Sequence, residues 1–395
     1  MARQANAPVE SRDRLWTPAF IALSLAEFAY FTANGVAIPV VPLFAAGPLH
    51  ADEFGVGLAV GAFSATAFVL RPVAGRAADA KGRRPLMVGG GLAYAAVTAA
   101  MALTNDLSVL VALRLMLGIA EAFFFVAGFA AVADLAPPGR AGEALSFNSL
   151  SLYLGIALGP LIGELLLELG GFRLALFGGA ALGLFAGGLA MRIPETRAVD
   201  PAQTTPPPLV HPAAIGPGLA LLAGIGAMSG FYAFVTLYAR SLGLDGSRLI
   251  LLEFGLIVVV CRVAFSRLPD RVPPFRLGSF ALGLGAVGLL VIAATGTVAG
   301  LVIGAALLAL GVTFMTPALF TAIVARVAPS QRGAALGTAS AFIDLGFGAG
   351  PVALGVVANA SGIPAAFVAG AIIAAVGSIG TAVLTSRLRP VLSPT

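Results

Sequence analysis

Glu27, Arg114, Glu121, Glu164, Glu253, Arg262 and Asp344 are charged residues set inside long apolar runs of a 395-residue chain. A charge at mid-bilayer costs ~2.5–3.5 kcal/mol on insertion scales, so it persists where it faces a cavity or a partner. Spacing ties three of these residues to proton chemistry. Glu27 lies ~15 Å from the start of its helix, and Asn34 follows two turns later on the same face. On a helix of opposite direction, Arg114 lies ~10 Å from the start and Glu121 two turns deeper. This counting puts Glu27 and Glu121 in one layer near mid-membrane, with Asn34 and Arg114 in the next. Two carboxylates at one depth in a low-dielectric cavity can bind and release protons in turn. Glu27, Glu121 and Arg114 are therefore proton-coupling candidates, Asp344, near the middle of its helix, is a further one as a second proton or substrate site, and a static ion pair of Arg114 with either glutamate is the competing reading. Glu164, near a helix end, is expected to snorkel to the interface. Arg71 and Arg262 are expected near helix ends, where gating and headgroup contact are equally open.

The elements that hold these residues follow from composition. Hydrophobic residues make up 59% of the chain, charged residues 10%, and mean hydropathy is +0.99. That is far from a soluble domain. The apolar runs are each long enough to cross ~30 Å of hydrocarbon as a helix. They fall near 17–41, 55–76, 86–104, 107–133, 142–167, 172–193, 214–239, 247–267, 276–295, 297–320, 333–357 and 363–386. This predicts an all-α integral membrane protein of twelve transmembrane helices. With both termini cytoplasmic, only Arg173, Arg240 and Arg248 of the 23 basic residues fall outside, and Arg71, Arg114 and Arg262 lie within spans. The rest sit inside, as orientation by positive charge requires. The net charge of +5 thus reflects topology and gives no reason for nucleic-acid binding.

Other chemistry is poorly represented. A lone Cys261 and two histidines, His50 and His211, argue against a metal centre, and the chain lacks a nucleotide-binding loop. No cofactor and no enzymatic activity are expected.

The stretch PETRAVDPAQTTPPPLVHP, residues 194–212, reads as a linker near the middle of the chain. An internal repeat accompanies it: RPVAGRAAD at 71–79 answers RVAFSRLPD at 262–270, an offset of 191. At that offset Pro138, Gly142, Leu145, Gly159 and Pro160 match Pro329, Gly333, Leu336, Gly350 and Pro351. The expected organisation is a six-helix half at 1–193, a cytoplasmic linker at 194–213 and a second six-helix half at 214–395.

GRAADAKGRRP, residues 75–85, resembles the loop signature of major facilitator superfamily transporters, and the resemblance covers nearly the whole chain. It implies the major facilitator fold, with two six-helix repeats, and a cytoplasmic gate formed by Gly75, Asp79, Gly82, Arg83 and, in AAVADLAPP, Asp134. In that family such charges hold the halves together in one conformation, and here the glycines would permit a tight turn and close helix approach. GIALGPLIGE at 155–164 resembles the glycine–proline motif of proton-driven drug exporters. Its Gly155, Gly159, Pro160 and Gly163 form a helix-packing motif, expected to meet the helix near 247–267 of the other half. RLMLGIAE at 114–121 looks like the fourth helix of the same exporters, which commonly also use an acid in helix 1.

These readings converge on a monomeric, multi-pass transporter of a bacterial inner membrane, surrounded by lipid. It would exchange protons for a small amphipathic or lipophilic compound, outward, by alternating access. Tyr30, Asn34, Asn148, Tyr153, Tyr232 and Tyr238 are the candidates to line the substrate cavity. A proton-linked importer of a sugar, organic acid or siderophore is the alternative.

Overall fold

Apolar runs separated by short polar caps become helices that begin where a side chain can satisfy the first free backbone amides. In a computed structural model, which describes residues 15–137, 140–196, 210–265, 268–327 and 331–387, α1 spans Pro18–Ala46 behind the Thr17 hydroxyl, which accepts from the Phe20 amide at 3.2 Å. Asp52 caps α2 (Glu53–Lys81) through the Gly55 amide at 2.8 Å, and Asp106 caps α4 (Leu107–Leu135) through Val109 at 3.0 Å. Between them lies α3 (Arg83–Met101). The run α5 (Ala141–Ala190) is followed by a short turn, Pro212–Ala214, and then by α6 (Ile215–Ser241) and α7 (Arg248–Ala264). A four-residue helix, α8 (Leu268–Arg271), leads to α9 (Pro274–Thr295), α10 (Val298–Val324), α11 (Arg332–Ser361) and α12 (Ile363–Arg387).

The architecture is all-helical, and nine helices among the described residues are long and apolar enough to cross a membrane. The sequence separates two helices at 142–167 and 172–193, and the run α5 is likewise two helices joined at a kink, where Gly170 and Gly171 are not helical in conformation. Gly171 has φ +70, a backbone conformation that side chains rarely adopt, so glycine lets the chain leave one helix and enter the next within two residues. The helix expected at 247–267 is shorter, Arg248–Ala264, with α8 beyond it. Of the proposed linker, 197–209 lies outside the described residues, as do Pro138, Arg267 and Pro329 of the repeat and the side chain of Asp270.

Small residues set the closest helix pairs. A Cβ on Gly35 of α1 would sit 2.8 Å from the Cα of Gly159 in α5, and one on Gly155 2.8 Å from the Thr32 amide nitrogen. One on Gly163 would lie 2.8 Å from the Val36 carbonyl oxygen. The helix-packing motif therefore faces α1, not the helix near 247–267. That helix, α7, instead meets the opposite side of α5, where a Cβ on Gly255 would come within 2.6 Å of the Ala157 Cα. The reason is that Gly35 supplies the matching small residue on α1, so two backbones can touch. The same approach recurs 191 residues later: a Cβ on Gly350 of α11 would lie 2.7 Å from the Cα of Gly226 in α6. The repeat seen in the sequence is thus a repeat of contacts.

Candidate functional site

The N-terminal helices α1–α5 meet the C-terminal helices α6–α12 along a seam whose main helix pairs are α2 with α11 and α5 with α7, with α1 against α6 between them. Three levels of contact descend from the end of the bundle bearing the turns at 47–52 and 242–247. At the first level, α2 and α11 touch by backbone, with a Cβ on Gly57 3.3 Å from the Gly355 Cα. The equivalent positions in α7 and α5 are Arg248 and Glu164. There the Glu164 carboxylate accepts from the amides of Ser247 at 2.8 Å and Arg248 at 2.9 Å and from the Ser247 hydroxyl at 2.8 Å. Glu164 is 4% exposed and caps α7 at its N-terminus, where a carboxylate is favoured; it does not snorkel as expected. No spacing signal marks this contact, because its partners lie across the seam.

At the second level, a Cβ on Gly348 would lie 3.3 Å from that of Ser64, and Ala157 with Gly255 is the related pair. At the third, Arg71 of α2 reaches Asp344 of α11, its Nη2 donating to Oδ1 at 2.6 Å and its Nε pairing with Oδ2. The Arg71 guanidinium also lies 4.4 Å from the ring centre of Phe125, close enough to attract it. Glu121 stands near enough to interact electrostatically with both Arg71 and Asp344. The related pair is Arg262 of α7 over the ring of Tyr153 in α5, at 4.0 Å. Arg71 is ten residues short of Lys81, so it sits mid-depth, ~15 Å from the helix end, and not near that end as expected.

The acidic residues are brought together differently from the layer count. Glu27 is 1% exposed; its Oε2 accepts from the Asn148 amide of α5, and Oε1 has no hydrogen-bond partner among the described residues. A Cβ on Gly128 of α4 would run into that free oxygen. Glu121 is two turns from Gly128 and lies level with Asn34, whose amide donates to Glu121 Oε2 at 3.5 Å and to the Tyr30 carbonyl at 3.2 Å. The two carboxylates therefore occupy different layers: Glu27 belongs with Gly128, and Glu121 with Asn34. Helix α4 starts at Leu107 as expected, but α1 continues to Ala46, past the expected end at 41, which leaves Glu27 farther from that end than Glu121 is from Leu107.

Arg114 pairs with neither glutamate. It donates to the carbonyls of Ala59 at 2.8 Å and Val60 at 2.9 Å and lies 4.6 Å from the Phe63 ring centre. Its contacts fasten α4 to α2 through backbone oxygens, which removes the static Arg114–glutamate pair as a description of this site.

Among the cavity candidates, Asn34, Tyr153 and Tyr232 are half-buried at or near the seam, and Asn148 is buried beside Glu27. Tyr30 differs from expectation: it is fully buried, stacked on Phe124 at 3.9 Å between centroids and packed against Tyr94. Tyr238 is likewise interior, its hydroxyl donating to the Ile292 carbonyl at 3.1 Å. Aromatic bulk suits a bundle core as well as a cavity, and α4 and α9 supply the partners here.

The loop charges form one cluster at the opposite end. Arg83 pairs with Asp79 at 3.0 Å and Asp134 at 3.1 Å and donates to the Ala78 carbonyl at 2.7 Å. Glu195, which the sequence reading passed over, accepts from the Arg83 and Arg84 amides at 2.8 and 3.2 Å, capping α3. Thr196 donates to Asp134 at 3.0 Å. Gly82 makes the turn with φ +99, but Gly75 lies within α2 and a Cβ there would meet nothing within 4 Å. Among the described residues, no helix approaches Gly75 closely in this arrangement. These contacts all join elements that precede residue 197.

The comparisons agree with this architecture. The family model described as Major Facilitator Superfamily matches residues 23–302 and 267–395. An uncharacterized MFS-type transporter of Salmonella typhimurium is 30% identical over 343 residues, covering 84% of this chain and 87% of its own length. One of Burkholderia mallei is 30% identical over 380 residues, 91% and 90% of the two chains. Among solved structures, a bacterial homolog to the human lysosomal transporter Spinster, inward-facing and occupied, gives a TM-score of 0.79 at 15% identity, covering 97% of this chain and 98% of that one. The human organic anion transporter MFSD10 (TETRAN) gives 0.70 at 20% identity, covering 95% and 100%.

Proposed function

This chain belongs to the major facilitator superfamily of secondary transporters, a multi-pass membrane protein, and from that membership we propose a proton-coupled antiporter that exports small amphipathic or lipophilic compounds. The observation that carries the reading is Glu27, a buried carboxylate with one oxygen held by Asn148 and the other unpartnered among the described residues. A buried group of this kind can bind a proton where a fully paired one is committed. One layer away, Glu121 interacts with Arg71 and Asp344 and forms a second polar group at the seam.

The cycle follows from the seam. Residues 1–193 and 214–395 act as two halves that rock about the third level, where Arg71 meets Asp344. Among the described residues, the close contacts across the seam lie between that level and the turns at 47–52 and 242–247, and we take the seam to open toward the other end. With both termini cytoplasmic, this is an inward-open state, poised to accept substrate from inside. Twelve crossings result when α5 is divided at Gly170–Gly171 and α3 and α7 also span. The loop cluster of Asp79, Arg83 and Asp134 sits at the open end, where closure would bring it against the second half. Protonation of Glu27 from outside resets the empty carrier. The membrane is a bacterial inner membrane, and the monomer is the working unit.

Vesicle polarity tests direction. Inside-out vesicles carrying the protein should accumulate a lipophilic compound when the lumen is acidified and lose it when the gradient is collapsed. Accumulation only in right-side-out vesicles contradicts export and favours import.

A further inference from the structure

The two arginines that the 191-residue repeat relates have unequal surroundings. Arg71 has a countercharge in Asp344 and a second acid, Glu121, close by. Arg262 has neither: among the described residues it makes no ion pair or hydrogen bond, its Nε is buried without a partner, and its guanidinium lies 4.0 Å over the Tyr153 ring. The cause is legible in the sequence, because the position that holds Asp344 in the second copy holds Tyr153 in the first. One arginine thus carries its anion within the fold, and the other offers a planar, always-charged fork with an aromatic plate beneath it. Beside that plate stands Tyr232, close enough to Tyr153 to interact with it, and Tyr232 packs on Phe254 at 5.3 Å between centroids. An apolar wall therefore adjoins an uncompensated positive charge in the seam.

We propose that Arg262 binds the carboxylate, or an equivalent anionic group, of an amphipathic transported molecule whose apolar body rests against Tyr153, Tyr232 and Phe254. The inference rests on the transport reading of the seam and narrows its substrate to amphipathic anions. A carboxylate supplies the two acceptors that the guanidinium fork lacks, in the geometry that Asp344 supplies to Arg71. A cationic compound would place like charges together and be repelled.

The test is a binding titration of the purified full chain in neutral detergent at fixed pH, using 2-naphthoate, 2-naphthamide and a naphthylmethylammonium salt. Naphthoate should bind at least about ten-fold more tightly than either analogue, the amide lacking charge and the ammonium having the wrong sign. Arg262→Gln should weaken naphthoate at least about ten-fold, and Arg262→Lys should retain part of the affinity. Tyr153→Asp installs the missing countercharge and should weaken naphthoate to the same degree, which keeps the test open if Arg262→Gln fails to fold. Equal naphthoate binding by wild type and both loss variants, absence of naphthoate binding, or tighter binding of the ammonium overturns the proposal. So does Arg262-dependent stabilisation by phosphatidylglycerol with no response to naphthoate, which would make the ligand a lipid headgroup. Proton movement is not measured here. A protein that binds naphthoate through Arg262 yet moves no protons therefore refutes the coupling while leaving this site standing.

Discussion

Asp344→Ala is expected to lower the stability of the purified protein by about 3 kcal/mol and to reduce transport at least about ten-fold. The Arg71 side chain would stay half-buried in the seam with its bonded partner gone, leaving Glu121 as a more distant acid and Phe125 as an aromatic face. An unpaired charge at mid-depth carries a desolvation cost that Phe125 alone does not offset. Arg71→Gln together with Asp344→Asn should recover most of the stability, since two neutral amides replace a severed ion pair. The cycle of both single variants and the double variant, read by thermal unfolding in detergent, gives the coupling directly. A cost for Asp344→Ala of about 0.5 kcal/mol or less, typical of a surface change, would mean that the pair does not fasten the seam.

The same substitution at two glycines should have opposite signs. Gly159→Ala pushes a methyl group into the Gly35 backbone, where neither helix can shift without disturbing Gly155 and Gly163 as well. A cost of about 3 kcal/mol is expected, at the upper end for overpacking, with a corresponding loss of folded yield. Gly75→Ala meets open space inside α2 and should be neutral or stabilise by up to about 1 kcal/mol, the helix-propensity difference. Melting of both variants by intrinsic fluorescence checks the contrast. Shifts of the same sign and size would show that the α1–α5 contact is not a backbone contact.

Much of the scaffold was legible because membrane helices announce themselves by length and because glycines at every fourth position mark a face. The 191-residue repeat was also legible, and it contained more than it first suggested: the same shift that aligns Arg71 with Arg262 aligns Asp344 with Tyr153. What the sequence could not give was the pairing of faces. Gly155, Gly159 and Gly163 are equally compatible with α1 and α7, and only the presence of Gly35 opposite them decides the matter. Depth was the second failure. Glu27 and Glu121 were placed by counting from helix ends, and α1 and α4 both run past the ends that composition suggests, to Ala46 and Leu135. Contacts made by backbone groups were invisible for a third reason: Arg114 on the carbonyls of Ala59 and Val60, Glu164 on the amides of Ser247 and Arg248, and Glu195 on α3 all use atoms that every residue has.

The shift also exposes an asymmetry that bears on mechanism. Glu27, Tyr30, Asn34, Arg114, Glu121 and Asn148 correspond to Gly218, Leu221, Ile225, Ala305, Val312 and Ala339. The first copy keeps the polar groups and the second has apolar residues in their places, so these polar groups are concentrated on one side of the seam and Arg262 faces them from the other.

If Glu27 carries the coupled proton, its loss will show in the internal pH of proteoliposomes. Wild type and Glu27→Gln are compared while a panel of lipophilic compounds is added outside and a pH-sensitive dye reports inside. At least one compound should drive proton movement through wild type, opposite in direction to the compound, and Glu27→Gln should abolish that movement while still binding the compound. Proton movement by Glu27→Gln at the wild-type rate would contradict the account and return Glu27 to a structural partner of Asn148.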